Sequence, residues 1–315
     1  MKIKMKMNKK KSIAVVTGSS TGLGFETSLL LARNSFHTYA TMRDTNKRKV
    51  IEKIAKQETL PLEVLSLNVN DNLSVKKAMK KIIDKNGHVD ILVNNAGYGL
   101  FGALEDISIE AIKNQFETNL FGAIRVIKEV LPIMRKQKSG IIINISSISG
   151  IVGIPASSAY VSTKFALEGL SESISYEVEP YGIKVILIEP GVIKTNFVPN
   201  IELPNSITNK PQKTLLKVQR ESATDYSNNN IKKSNISHYS STVDTFLSHY
   251  YPAMKNAPLP QEVSDVILES IKNATNSSEC LFRYYIGKDS RALSEARKNM
   301  SDSQLHKFVS DKLLS

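Results

Sequence analysis

Cysteine occurs once, at Cys280, and histidine five times, at His37, His88, His238, His249 and His306. A single thiol excludes an intramolecular disulfide and fits a reducing cytoplasm. The histidines are scattered without pairs at helical spacing, so no metal centre is expected. Long apolar runs are missing too: none reaches the length of a membrane span. The opening "MKIKMKMNKKK" has charge but no apolar stretch behind it, and is not expected to be a secretory signal. Clusters of arginine with aromatics and zinc-ligand spacings are also absent, which argues against nucleic acid as a partner.

Positive charge is the one excess. The formal balance is +12, but six of those charges belong to Lys2, Lys4, Lys6, Lys9, Lys10 and Lys11. Residues 1–11 therefore read as a solvated, disordered basic arm. The whole chain is 41% hydrophobic, enough for residues 12–315 to form the core of one large domain.

From Ser12 to Glu189, short β-branched runs alternate with segments of helical periodicity. "SIAVVT" (12–17), "FHTYAT" (36–41), "LEVLSL" (62–67), "DILVNN" (90–95), "IIINIS" (141–146) and "KVILIE" (184–189) read as strands covered on both faces. Repeated βα units imply a Rossmann-type, doubly wound parallel sheet, an α/β fold of about seven strands in a single domain. "LFRYYIG" supplies the last strand, between the helices "QEVSDVILESIKN" and "ALSEARKNM". Residues 200–260, rich in Asn, Ser, Lys and Thr, suggest a long flexible excursion. In such a fold ligands sit beyond the carboxyl ends of the strands, so 196–260 is expected to be a substrate lid or a surface insertion.

Two local patterns carry chemistry. Gly18, Gly22 and Gly24 in "VVTGSSTGLG" follow the first strand and open the first helix, where glycine lets the backbone approach a pyrophosphate at a helix N-terminus. No Gly-Lys-Ser/Thr follows, so this is not a Walker-type phosphate loop. In "SAYVSTKFA", Tyr160 and Lys164 are four apart and share one helix face. A phenol titrates near 10, and an adjacent ammonium would lower that value towards neutrality.

Six motifs in order make the chain resemble the short-chain dehydrogenase/reductase family over about residues 12–197. They are "TGSSTGLG" (17–24), "NNAG" (94–97), "ETN" ending at Asn119, "NISS" ending at Ser147, Tyr160-x-x-x-Lys164 and "PGVIKT" (190–195). The resemblance resembles, in its "YATMRD" and long C-terminal region, the branch of steroid- and retinoid-type carbonyl reductases. It implies an oxidoreductase that interconverts a carbonyl and an alcohol. Tyr160 would be general acid and base, Lys164 would also hold the nicotinamide ribose, and Ser147 would bind the substrate oxygen. Asn119 would kink its helix and hold a water in a proton relay. Side chains alternate along a strand, so only one of Ser146 and Ser147 can face the site; Ser149 is the lesser substitute.

The same resemblance places the cofactor against Gly18, Ser20, Gly22, Leu23, Gly24, Arg43, Asn68, Val69, Asn95, Ala96, Gly97, Tyr160, Lys164, Pro190, Gly191, Val192 and Thr195. Asn68 stands where the family usually has aspartate, and its carbonyl can still accept from adenine. The position of the acidic ribose ligand of NAD binders falls on Met42, and Arg43 follows it. NADP(H) is therefore expected, with NAD(H) the alternative should Asp44 read the ribose. Two other readings are a non-catalytic NAD(P)-sensing binding protein and a nucleotide-sugar epimerase or dehydratase on the same sheet. The expected partner is a small carbonyl or alcohol, lipophilic by the branch resemblance. A homodimer or homotetramer would pair the helices at 108–135 and 157–179.

Overall fold

The computed structural model describes residues 11–195, 237–276 and 281–315. The arm through Lys10, the greater part of the expected lid and Cys280 lie outside the described residues. Seven strands form one sheet: β1 (Ile13–Val16), β2 (His37–Met42), β3 (Leu62–Ser66), β4 (Ile91–Asn94), β5 (Gly140–Ile145), β6 (Ile183–Pro190) and β7 (Arg283–Ile286). Their order is β3-β2-β1-β4-β5-β6-β7, and every neighbouring pair is parallel. The chain runs outward from β1 to β3, then crosses back to start the other half at β4. A crevice opens between β1 and β4, where the winding reverses.

The continuous apolarity of the strands has a direct cause. Ile13 and Val15 enter one core layer, whereas Ala14 and Val16 enter the other. Leu92 and Ile142 likewise face the first layer, against Ile91, Val93, Ile141 and Ile143 in the second. With both faces buried, a strand has no polar side to display.

The first core layer lies beneath α3 (Asn72–Asn86), α5 (Gly122–Gln137) and α6 (Ser158–Val178). The second lies beneath α1 (Gly22–Arg33) and α8 (Pro260–Asn276). The remaining helices are α2 (Lys49–Gln57), α4 (Ile109–Phe116), α7 (Ser240–Lys255), α9 (Lys288–Asn299) and α10 (Asp302–Leu313). Local chemistry sets several ends. Asp71 accepts from Leu73 N and Ser74 N at the start of α3, and Gly87, at φ +73°, ends it.

Three features depart from the expectations. Residues 240–255 are not part of an irregular excursion: they form α7, whose Val243, Phe246 and Leu247 are buried. Their spacing of three and four makes an apolar helical stripe, which outweighs the polar composition around it. The helix expected across 108–135 is broken by a π-turn at Glu117–Phe121, where Gly122 N donates to Glu117 O. A further helix, α10, follows the one expected to be terminal; Ser301 and Gln304 cap it reciprocally, and Leu305 and Val309 anchor it.

Candidate active site

The strand ends deliver the expected residues to one edge. Thr17 follows β1, and its hydroxyl accepts from Asn95 N (3.0 Å) and Ala96 N (3.1 Å) beyond β4. Asn95 returns the contact, donating from Nδ2 to Thr17 O (2.9 Å) and Gly18 O (3.2 Å). The loops after β1 and β4 are thus laced across the crevice. Asn95 acts through that lacing: its side chain braces the glycine loop.

Gly18 and Gly22 adopt φ of +70° and +62°, where a side chain would be strained. A Cβ on Gly24 would collide with Asn95 Nδ2 and Gly18 O. A methyl on Gly97 would press on Asn119 Oδ1 at 3.1 Å. Thr21 precedes α1 without a side-chain cap, and the first turn holds no acidic residue. The helix start therefore keeps free N–H groups and a positive dipole end, a cradle suited to a pyrophosphate. Ser20 and Leu23 sit half-buried in this loop, and Thr195 Cβ would lie 3.6 Å from a Cβ on Gly22.

At the end of β2, Met42 is 1% exposed and packs with Leu29, Ala40 and Ile51. Arg43 is the first exposed residue past the strand, and Asp44 is committed to capping, accepting from Asn46 N. The charge available at this edge is therefore the guanidinium. After β3, Asn68 is half-buried and accepts from Asn70 N through Oδ1. Val69 turns its side chain into the core under Gly122, so only its backbone could touch a nucleotide.

The candidate chemical group gathers between β5 and α6. Ser147, Tyr160 and Lys164 are each under a tenth exposed, and Asn119 is buried more deeply still. The Ser147 hydroxyl acts on the Tyr160 phenol, favouring its ionised form, and Ser147 Oγ accepts from Ser149 N (3.1 Å). Ser146 faces the other way, towards Glu168 on α6. The alternation expected of the two serines is present, and Ser149 contributes its backbone rather than its hydroxyl to this group.

One expectation is corrected here. Lys164 Nζ donates to Ile145 O (2.7 Å) and lies 5.7 Å from the Tyr160 ring centroid. Burial pushes the Tyr160 phenol up to about 12, against a smaller lowering effect of the Ser147 hydrogen bond. Burial also pulls the Lys164 ammonium down to about 8, with Glu168 opposing. Desolvation dominates both shifts because both groups are enclosed. At neutral pH the phenol holds its proton and is poised as a donor.

Asn119 sits in the π-turn that kinks its helix. Its Oδ1 accepts from Tyr98 N, while Nδ2 donates to Tyr98 O and to Thr163 Oγ1. The amide is thus a brace joining the loop after β4 to α6. At the end of β6, Pro190 O receives a long contact from Ser147 Oγ (3.4 Å). Gly191 passes close under Asp289, whose Oδ2 accepts from Val192 N (2.7 Å).

The sequence left out the cover over Tyr160. Phe101 meets its ring edge-on at 6.1 Å, and Phe246 and Tyr250 of α7 meet Phe101 at 5.7 and 5.4 Å. Beside this cluster opens a cavity of about 530 Å³, lined by Leu104, Ile154, Pro155, Tyr239 and Val243 among others. Among the described residues no three His, Cys, Asp or Glu side chains converge as metal ligands, and no helix is long and apolar enough to cross a membrane.

Comparison with known proteins agrees with this geometry. The family model described as short chain dehydrogenase matches residues 12–205. A 3-ketodihydrosphingosine reductase of Bacteroides thetaiotaomicron is 42% identical over 188 residues, 60% of this chain and 66% of that protein. Retinol dehydrogenase 8 of Homo sapiens is 40% identical over 187 residues, 58% of this chain and 59% of that protein. The chain thus matches about three-fifths to two-thirds of these relatives' length. A solved structure, ElxO with NADP bound, is 26% identical and superposes with a TM-score of 0.67 over 90% of this chain and 99% of its own.

Proposed function

The chain belongs to the short-chain dehydrogenase family, and we propose that it is an NADP(H)-dependent oxidoreductase interconverting a lipophilic carbonyl and its alcohol. The observation that carries this reading is the Ser147–Tyr160 hydroxyl pair at the strand edge, with buried Lys164 behind it and the glycine cradle beside it.

The nucleotide fits the residues present. Gly18, Gly22, Gly24 and the open start of α1 would hold the pyrophosphate, with Ser20, Leu23 and Thr195 around it. Arg43 would pair with the 2′-phosphate, and Asn68, Val69, Asn95, Ala96 and Gly97 would flank the adenosine half. Pro190, Gly191 and Val192 would lie under the nicotinamide. When bound, the reduced cofactor supplies the hydride. Ser147 and Tyr160 orient the substrate oxygen, and Tyr160 transfers its proton to the oxygen as negative charge develops there. Lys164 supports that charge from below and holds the ribose. In oxidation the phenolate takes the proton back.

The apolar cavity and the rings of Phe101, Phe246 and Tyr250 favour a bulky apolar substrate over a small polar one. Two similar proteins are named for 3-ketodihydrosphingosine and retinol, which agrees with that choice. α7 would serve as a lid over the site. Exposed Phe121 and Phe165, on the helices at 108–135 and 157–179, support assembly as a homodimer or homotetramer. A panel of ketones and aldehydes, assayed by loss of NADPH and NADH absorbance, tests the proposal. Turnover of apolar carbonyls with NADPH is expected; no turnover of any carbonyl with either cofactor would overturn it.

A further inference from the structure

Behind Lys164, away from the proposed substrate, lies an acidic cluster that the chemistry above does not use. Glu168 is one helical turn beyond Lys164 on α6, and Glu189 is the penultimate residue of β6, next to Pro190. Both are buried, Glu189 completely. One cation, Arg283 of β7, lies between them. Its Nε donates to Glu168 Oε2 at 3.2 Å and stands 3.3 Å from Glu189 Oε1. Its Nη2 is taken by the half-exposed Glu172 at 3.0 Å. One Nε–H cannot satisfy two carboxylates. Neither oxygen of Glu189 has a hydrogen-bond partner, and Glu168 Oε1 has none either.

An ionised carboxylate with no donor, fully removed from water and beside a second carboxylate, is strongly disfavoured. Binding one proton relieves both the desolvation and the like-charge repulsion. The groups facing the pair are Lys164 and Glu172 on α6, Arg283 and Tyr285 on β7, Lys298 on α9, and the Ser146 hydroxyl beyond β5. Burial and Glu168 raise the Glu189 carboxyl to about 8 despite Arg283 and Lys298. The Glu168 carboxyl is also raised by burial, but Ser146, Arg283 and Lys164 all draw it back.

We propose that Glu168 and Glu189 form a buried acid pair that shares one proton at neutral pH, with Glu189 neutral and Glu168 ionised against Lys164. The pair are positioning residues: Glu168 supplies the counter-charge that keeps Lys164 an ammonium, and the proton on Glu189 stops a second negative charge from accumulating behind it. The effect on Lys164 matters to turnover only through the oxidoreductase reading above, but the proton itself does not depend on that reading.

Infrared spectroscopy of the purified protein tests the pair without any turnover. The carbonyl stretch of a buried carboxylic acid is expected in wild type at pH 7, to disappear on titration with a midpoint near 8, and to be missing from Glu189→Gln at pH 7. Glu172→Gln, at the exposed edge, should retain it. Absence of the band from wild type, or its persistence in Glu189→Gln, overturns the proposal; should Glu189→Gln fail to fold, the wild-type titration decides alone. The link to Lys164 has its own readout. In Glu168→Gln the alkaline limb of the kcat/KM profile should move down by about one pH unit, because an ammonium without its counter-charge deprotonates earlier. An unmoved limb overturns the positioning role. A carboxylic band in a protein that turns over no carbonyl would leave the pair standing and remove the oxidoreductase reading instead.

Discussion

The segment from Ser12 to Thr195 and the segment from Ser237 onward build opposite walls of one site by different means. The first wall is made of polar side chains tied to backbone: Thr17 to Asn95 and Ala96, Asn119 to Tyr98, Lys164 to Ile145. Each such bond has a narrow range of length and direction, so these groups are held to the tolerance that proton transfer demands. The second wall is made of rings and aliphatic side chains, Phe246 and Tyr250 against Phe101, which fill space without directional bonds. Packing of that kind accepts other shapes at modest cost. Under the proposed function, the first wall would serve the chemistry and the second the choice of substrate.

Variants in the first wall should therefore change turnover most. Tyr160→Phe removes the transferable proton and keeps the ring against Phe101. A kcat loss of about 10²- to 10⁴-fold is expected with nucleotide affinity largely kept. Near-wild-type kcat would show that another group delivers the proton.

Lys164→Met should come next, lowering kcat and also weakening nucleotide binding, which Tyr160→Phe should not do. It has a second signature in stability. The folded ammonium titrates at about 8 and an unfolded lysine at 10.5, so its contribution is present above 10.5 and is lost as pH falls through 8. Melting temperatures of wild type should gain from this group between those values, and Lys164→Met should lack that gain. Parallel curves for the two proteins would contradict the depressed ammonium.

Arg43→Ala tests the cofactor half of the same wall. Charged hydrogen bonds contribute about 1.5–3 kcal/mol, so kcat/KM with NADPH should fall roughly ten- to a hundredfold while NADH is nearly unaffected. An equal loss with both would mean that Arg43 does not read the 2′-phosphate. Met42→Asp is the less clean companion, since the buried Met42 site would have to take up a carboxylate.

The smallest effect on chemistry is expected from the second wall. Phe246→Ala should raise KM for bulky apolar carbonyls several-fold and leave kcat for a small carbonyl within about twofold, while lowering stability by roughly 3 kcal/mol. A selective fall in kcat for the small carbonyl would break the division between the two walls.

Legibility followed the same line. The strand runs and the glycine, Tyr-Lys and Pro-Gly motifs could be read because each is local: a period of two or four, or a turn that only glycine makes easily. The Ser146/Ser147 alternation was readable for the same reason. Phe101, Phe246 and Tyr250 were not, because about 145 residues of chain separate the first from the other two and ring contacts have no sequence period. Glu168 did have a signal, four residues after Lys164 on one helix face. Glu189 had another, a lone carboxylate closing an apolar strand. Their meeting at Arg283, a strand added from the far end of the chain, had none.

By itself the sequence determined the strands, their parallel winding and the identity of the groups brought to the strand ends, because backbone periodicity and turn stereochemistry are local properties. The tertiary structure alone decided how those groups are charged. Burial takes the Tyr160 phenol up and the Lys164 ammonium down, against the attraction their spacing suggests. It also puts Glu168 and Glu189 on one guanidinium. Desolvation depends on every neighbour that excludes water, and most of those neighbours are remote in the chain.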